Sequence, residues 1–207
     1  MKNILYKKDI SLVKVDGDGN CLFNCMIQQL HLNKNVKFLT DNNYSYKMSK
    51  TKLYEDESDK LRQLSINWLE NNLDHILPTG LTIKQDIENI ICDFDDINDL
   101  DEYLFEMRDY RYAGQIEIYA LSNILKKNIS VFTEYDNKYY TIGMGNIYNK
   151  SNKDNIYLYH NMINNDDEDT YHYNLLYPKS RCEIISKKKY SELINNNKRI
   201  TRQTITD

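Results

Sequence analysis

The chain has 207 residues, 41% hydrophobic and 28% charged, enough for one domain with a proper core, and its apolar runs are only a few residues long, which excludes a membrane-spanning helix. Its net charge of −4 is split, because residues 181–207 carry seven Lys/Arg against three acids (+4) and leave −8 on the rest; an acidic body suits a basic partner and argues against nucleic acid as the main ligand. The four cysteines form no CxxC pair, and residues 1–9 lack the apolar stretch of a secretory signal, so the expectation is a cytoplasmic chain with reduced thiols and no metal or other cofactor.

A short apolar run over residues 11–15 predicts a strand. Asp16-Gly17-Asp18-Gly19-Asn20 then predicts a tight turn, and Leu22, Phe23, Met26, Ile27 and Leu30, at helical spacing, predict a helix leaving it. Cys21 stands where that helix begins. Backbone N–H groups and the dipole at a helix N-terminus favour a thiolate, the reactive form of cysteine, and the same N–H groups can bind the oxyanion formed when a carbonyl is attacked. Two other readings compete: an inert buried thiol, and a calcium loop. Asp16-x-Asp18-x-Asn20 matches the first three ligand positions of such a loop, but Cys21 stands where glycine is required and Ile27 where glutamate is. A Cys21–Cys25 disulfide is disfavoured, since adjacent turns of one helix give poor bridging geometry.

Residues 33–58 are polar and read as a loop with one short helical turn. Helical spacing resumes over 59–73, with Leu61, Leu64, Ile66, Trp68, Leu69 and Leu73 as its apolar stripe. Leu77-Pro78-Thr79-Gly80 breaks it. Thr82 is positioned to cap a helix over 83–92, with Asp86 in its first turn, and Asn98 to cap another running to about Arg108. A further stripe of Ile116, Ile118, Tyr119, Leu121, Ile124 and Leu125 predicts a helix over 115–127. The period then changes. Runs at 129–133, 139–142, 156–160 and 171–176 read as strands, with a hairpin turn at Asp136-Asn137, an acidic loop over 164–169 and Pro178 ending the last strand. Beyond residue 186 the chain is polar and basic. The expected architecture is one α+β domain over 1–180, helices first, around a small sheet built from the first strand and several late ones, followed by a basic tail over 181–207.

A cysteine nucleophile needs a base within reach and a third group to orient that base. Of the four histidines, His160 and His172 fall on late strands. His172 is the better base, because Asn174 lies two residues on and therefore shares its face of the strand, where it can hold the imidazole in one tautomer and rotamer.

The run Asp16-Gly-Asp-Gly-Asn-Cys-Leu-Phe23 resembles the signature of the ovarian tumour (OTU) family of cysteine deubiquitinases. The resemblance continues in order through Leu61-Arg62 to Leu69, then Tyr112-Ala113-Gly114-Gln115-Ile116-Glu117-Ile118-Tyr119-Ala120-Leu121-Ser122, Ile129-Ser130-Val131-Phe132 and Tyr171-His172-Tyr173-Asn174. It implies a papain-like thiol isopeptidase that removes ubiquitin or a ubiquitin-like modifier from its conjugates, with neither nucleic acid nor membrane as partner. It implies Cys21 as nucleophile, His172 as general base, Asn174 as the group orienting the histidine, and Asp18 as the family's active-site acid. It also implies that Asp109, Tyr112, Ala113, Gly114 and Tyr173 line the path of the modifier's tail, with acids such as Glu106 and Asp109 available to its arginines. Asn24 stands where the family commonly has Arg, and Tyr112-Ala113 where it has Trp-Gly. The alternative is a member that keeps the fold and binds ubiquitin without cutting. The compact length and the abundance of Asn, Lys, Ile and Tyr, residues with A/T-rich codons, fit a viral or bacterial effector acting in a host cell.

Overall fold

A computed structural model describes residues 10–15, 17–34, 38–40, 45–47, 52–109, 111–135, 138–141, 155–161, 172–178 and 183–185. Asp16, the Asp136-Asn137 turn, the acidic loop over 164–169 and everything beyond 185 lie outside these residues. The strands are β1 (Ile10–Lys14), β2 (Phe38–Thr40), β3 (Ser45–Lys47), β4 (Ile129–Tyr135), β5 (Lys138–Thr141), β6 (Ile156–Asn161), β7 (His172–Pro178) and β8 (Glu183–Ile185). The helices are α1 (Cys21–Lys34), α2 (Lys52–Glu70), α3 (Ile83–Ile91), α4 (Leu100–Met107) and α5 (Gln115–Leu125).

Six strands make one sheet in the order β3-β1-β7-β6-β4-β5. The first strand and the late ones do come together, as expected. β7 lies between β1 and β6, antiparallel to both, with Val13 opposite Leu175 and Asn161 opposite His172. Alternation along the strands then sorts the side chains. Val13, Val131, Leu158, Tyr173, Leu175 and Tyr177 face the main core, while Leu12, Tyr159 and Leu176 form a smaller cluster on the other side. β2 and β8 pair in parallel as a separate ribbon.

α1 is not an amphipathic surface helix. Every residue from Cys21 to Gln29 is buried, the polar Asn24, Gln28 and Gln29 included. A helix buried all round must sit inside the domain, and this one packs against β7 on one side and α2 on another.

α2 departs from the expectation at both ends. It starts at Lys52, well inside the stretch read as a loop. That first part, with Glu55, Asp56 and Glu57, is polar without being irregular, and acids suit the start of a helix. At the other end the carboxamides of Asn71 and Asn72 donate to the carbonyls of Asn67 and Trp68, both at 2.7 Å, so the helix stops at Glu70 instead of residue 73. The buried face is also different from the apolar stripe. Ser58, Leu61, Arg62, Ser65, Ile66 and Leu69 point inward, and Leu64 is 53% exposed.

α3 begins as expected. Gln85 N–H donates to Thr82 Oγ1 and Thr82 N–H to Gln85 Oε1, a reciprocal cap. α4 is capped by Asp99 and not by Asn98: the Asp99 carboxylate accepts from Glu102 N–H at 2.9 Å, and a charged acceptor makes the stronger cap. Asn98 instead donates to the Glu102 side chain. Among the described residues no helix is long and apolar enough to cross a membrane.

Candidate active site

The turn before α1 owes its shape to Gly19, whose φ of +83° is a backbone conformation that residues with a side chain rarely adopt. Asp18 then folds over the turn. Its Oδ1 accepts from Asn20 N–H at 3.1 Å and from Asn24 Nδ2 at 3.0 Å. Asn24, the position where an arginine was expected, is thus a buried tie between the first turn of the helix and the loop ahead of it. The Asn20 Nδ2 donates to Asp59, and its Oδ1 accepts from Arg62 Nε at 2.7 Å. The oxygen that a calcium ion would need thus lies against a guanidinium cation, which disfavours the calcium-loop reading.

Cys21 is the first residue of α1 and only 2% exposed. Its sulfur meets the backbone N–H of Tyr173, the residue after His172, and that of Leu22 in its own helix. Those two N–H groups and the charge of Arg62 favour the thiolate. Burial outweighs them and, together with the nearby Asp18 carboxylate, holds the thiol above its ordinary value. In this arrangement burial works against the thiolate that a helix N-terminus favours. Alkylation of Cys21 by iodoacetamide, followed on its own peptide because Cys92 is exposed, should be slow near about pH 6 and gain about tenfold per pH unit towards pH 9. Fast labelling in mild acid would show instead an ion pair already formed with His172. Cys25, one turn further in, is fully buried and more strongly held as a thiol, first by burial and then by Cys21.

His172 opens β7 and faces the same side as Asn174. Asn174 is buried, and its Oδ1 accepts from Val15 N–H at 3.3 Å, tying β7 to the end of β1 just ahead of the turn. An amide oxygen has two acceptor sites, so this bond leaves capacity for a ring N–H of His172. The structure thus gives Asp18 and Asn174 different surroundings, the first inside the turn and the second on the histidine's strand. His160 lies opposite Tyr173, on the other face from His172, with its ring stacked on the Tyr173 ring at 4.5 Å between centroids. Burial, and then the charge of His172, push its imidazole below its ordinary value. Burial likewise pushes the Tyr173 phenol up, so that Tyr173 is a neutral, buried residue packed under the site.

The segment after α4 forms a wall that is pinned at both ends. The Arg111 carbonyl accepts from Arg62, and its guanidinium reaches Glu106 and Asp96, both at 2.6 Å, and lies over the Phe94 ring. Gly114 N–H donates to Glu117 Oε2 at 2.7 Å, and the other oxygen of Glu117 accepts from Tyr103 O–H at 2.9 Å. Burial raises this carboxyl, while its N–H and O–H donors and the charge of Arg62 oppose the shift. Between the two anchors Tyr112 is 54% exposed and Ala113 is packed into the core. Asp109 is exposed. One oxygen of Glu106, an acid expected to meet a partner's arginines, is paired with Arg111.

The residue that sequence reasoning passed over is Arg62. It is 1% exposed and donates to Gly19 O, Asn20 Oδ1, Met107 O and Arg111 O, with its guanidinium 4.6 Å from the Phe23 ring centre. Its signal was present: an arginine spaced with Ile66 and Leu69 on the buried face of α2.

A family model for OTU-like cysteine proteases matches residues 16–183. No curated protein matches the chain. Among solved structures the chain is similar to the viral OTU domain protease from Taggert virus, at 14% identity, over 85% of each chain, with a TM-score of 0.49. It is similar to an OTU deubiquitinase from Wolbachia pipientis wMel, at 13% identity over 89% of this chain and 96% of that one, with a TM-score of 0.49. A third is the Hazara virus OTU bound to ubiquitin, at 19% identity over 81% and 80%, with a TM-score of 0.46.

Proposed function

Since this chain belongs to the family of OTU-like cysteine proteases, we propose that it is a deubiquitinase that cleaves after the C-terminal glycine of ubiquitin or a ubiquitin-like modifier. The observation that carries the reading is the place of Cys21: first residue of a buried helix, its sulfur on the backbone of β7 next to His172. His172 takes the thiol proton as the sulfur attacks the glycine carbonyl. N–H groups of Cys21 and of the turn before it receive the oxyanion. His172 then gives its proton to the departing lysine ε-amine, leaving a thioester on Cys21 and a free amine. In the second half it deprotonates the water that hydrolyses the thioester, which restores the thiol and releases the modifier's carboxylate.

A proton-transfer partner suits a cysteine whose burial favours the thiol, because the thiolate need exist only when the carbonyl is in place. A Gly-Gly tail offers no side chains, so selection must come from a narrow path and from contacts further out. Tyr112 and the Gly114 end of the wall are the proposed path, and exposed Asp109 the proposed contact for an arginine of the tail. Asn174 is the proposed orienting residue. Asn174→Ala should lower kcat about tenfold or more with KM nearly unchanged. An unchanged rate would make Asp18 the main polar partner.

The burial of Cys21 and its raised thiol favour one second reading, a domain that binds ubiquitin without cutting. Ubiquitin carrying a C-terminal propargyl amide separates the two. A covalent adduct by intact mass, absent in Cys21→Ala, supports the enzyme; binding with no adduct supports the module.

A further inference from the structure

Arg62 is a charge buried to 1% exposure, yet the four acceptors that its bonds reach are all neutral: three carbonyls and an amide oxygen. Desolvating a guanidinium for neutral partners is a poor source of stability. Burial lowers its pKa, against the charges of Glu117, Asp59, Cys21 and Asp109. What the arrangement does supply is geometry. Nη2 draws the Gly19 carbonyl inward at 2.6 Å. A peptide unit is planar and trans, so the Asn20 N–H must then point the opposite way, where Asp18 Oδ1 accepts it. Nε holds the Asn20 side chain, and Nη1 spans to Met107 and Arg111 in the wall. Gly19 has no side chain to bias the peptides around it. A flip there would turn the Gly19 carbonyl oxygen towards the Asp18 carboxylate and unseat the turn that leads into Cys21.

We propose that Arg62 is a positioning residue of the acyl-transfer site: with Asp18 on its N–H and Arg62 on its carbonyl, the Gly19–Asn20 peptide is fixed from both sides, and the turn holds the Cys21 N–H that follows it in place for the oxyanion. This rests on the reading of Cys21 as the nucleophile of a deubiquitinase. The planar fork is what the role demands. Lysine keeps the charge but has one nitrogen on a flexible stem, and cannot reach four acceptors in three segments at once.

The test compares two ubiquitin reagents on the full chain. A C-terminal fluorogenic amide passes through a tetrahedral oxyanion. A propargyl amide does not: the sulfur adds to the internal alkyne carbon, a proton goes to the neighbouring carbon, and a vinyl thioether results. Arg62→Lys should lower kcat for the amide about 10²-fold, the scale of a misplaced catalytic element. It should leave KM, and the rate of propargyl labelling, within about threefold of the wild type. Asn20→Ala removes one acceptor, leaves Arg62 in place, and should show the same split on a smaller scale. It carries the test alone if Arg62→Lys does not fold. Labelling and turnover falling in parallel, or KM rising with kcat unchanged, would overturn the proposal and leave Arg62 a structural or channel residue. Wild-type kinetics in a folded Arg62→Lys would overturn it too, with the deubiquitinase reading intact. A wild-type chain that neither labels nor turns over removes both.

Discussion

Cys21→Ala is expected to lower turnover of a ubiquitin amide by about 10⁴-fold or more, because losing the nucleophile of a site whose groups act together removes almost the whole of its catalysis. The fold should survive. The change deletes one buried sulfur and leaves the Tyr173 and Leu22 N–H groups without it, a loss of about 1–2 kcal/mol. Ubiquitin binding should be retained, since the sulfur meets only the tail's carbonyl, and a calorimetric titration of the variant alongside the wild type would measure it. Turnover above about one per cent of wild type would refute Cys21 as nucleophile, because no general acid–base effect alone sustains that rate.

The second large effect separates two histidines. His172→Ala should bring activity near background, a loss of about 10³-fold or more, whereas His160→Ala should stay within about threefold in kcat. The geometry behind this is their placement on opposite faces of neighbouring strands. His172 shares a face with Asn174, and His160 stacks on the buried Tyr173 ring. His160→Ala should therefore be felt as stability, about 1 kcal/mol for the lost stacking, in a chemical denaturation curve. Activity lost in the His160 variant and kept in the His172 variant would move the base to His160.

The strand, glycine turn and helix around Cys21 were legible because each element there carries its own local signal: an apolar run, glycines, and a 3.6-residue stripe; the burial of the helix's polar face was not. The Thr82 cap was legible for the same reason, since Thr and Gln three apart satisfy each other's backbone groups. β2, β3 and β8 are three residues each, too short for alternation to register, and exist through pairing with strands distant in sequence. The early start of α2 was hidden because a polar helix turn and a polar loop have the same composition. Leu64 and Arg62 exchanged their expected roles for one physical reason. Burial on a helix is set by what lies opposite. Opposite Arg62 stand four oxygens awaiting donors, while Leu64 lies on the side of α2 turned to Asp56 and Lys60. How Asp18 and Asn174 divide the third role stayed open in the sequence because their surroundings depend on contacts distant along the chain, such as the hydrogen bond from Val15 to Asn174.

The position of β7 between β1 and β6 has a consequence for how the protein comes into being. β1 is made first, and its central partner is made more than a hundred and fifty residues later. As the chain leaves the ribosome, α1 lacks the strand it packs against, and Cys21 lacks both the strand that carries His172 and the N–H group that contacts its sulfur. Contacts this distant along the chain form slowly. On the proposed reading of Cys21 and His172, synthesis itself is a safety catch: a nascent or prematurely terminated chain would carry the cysteine without the strand that completes the proposed site.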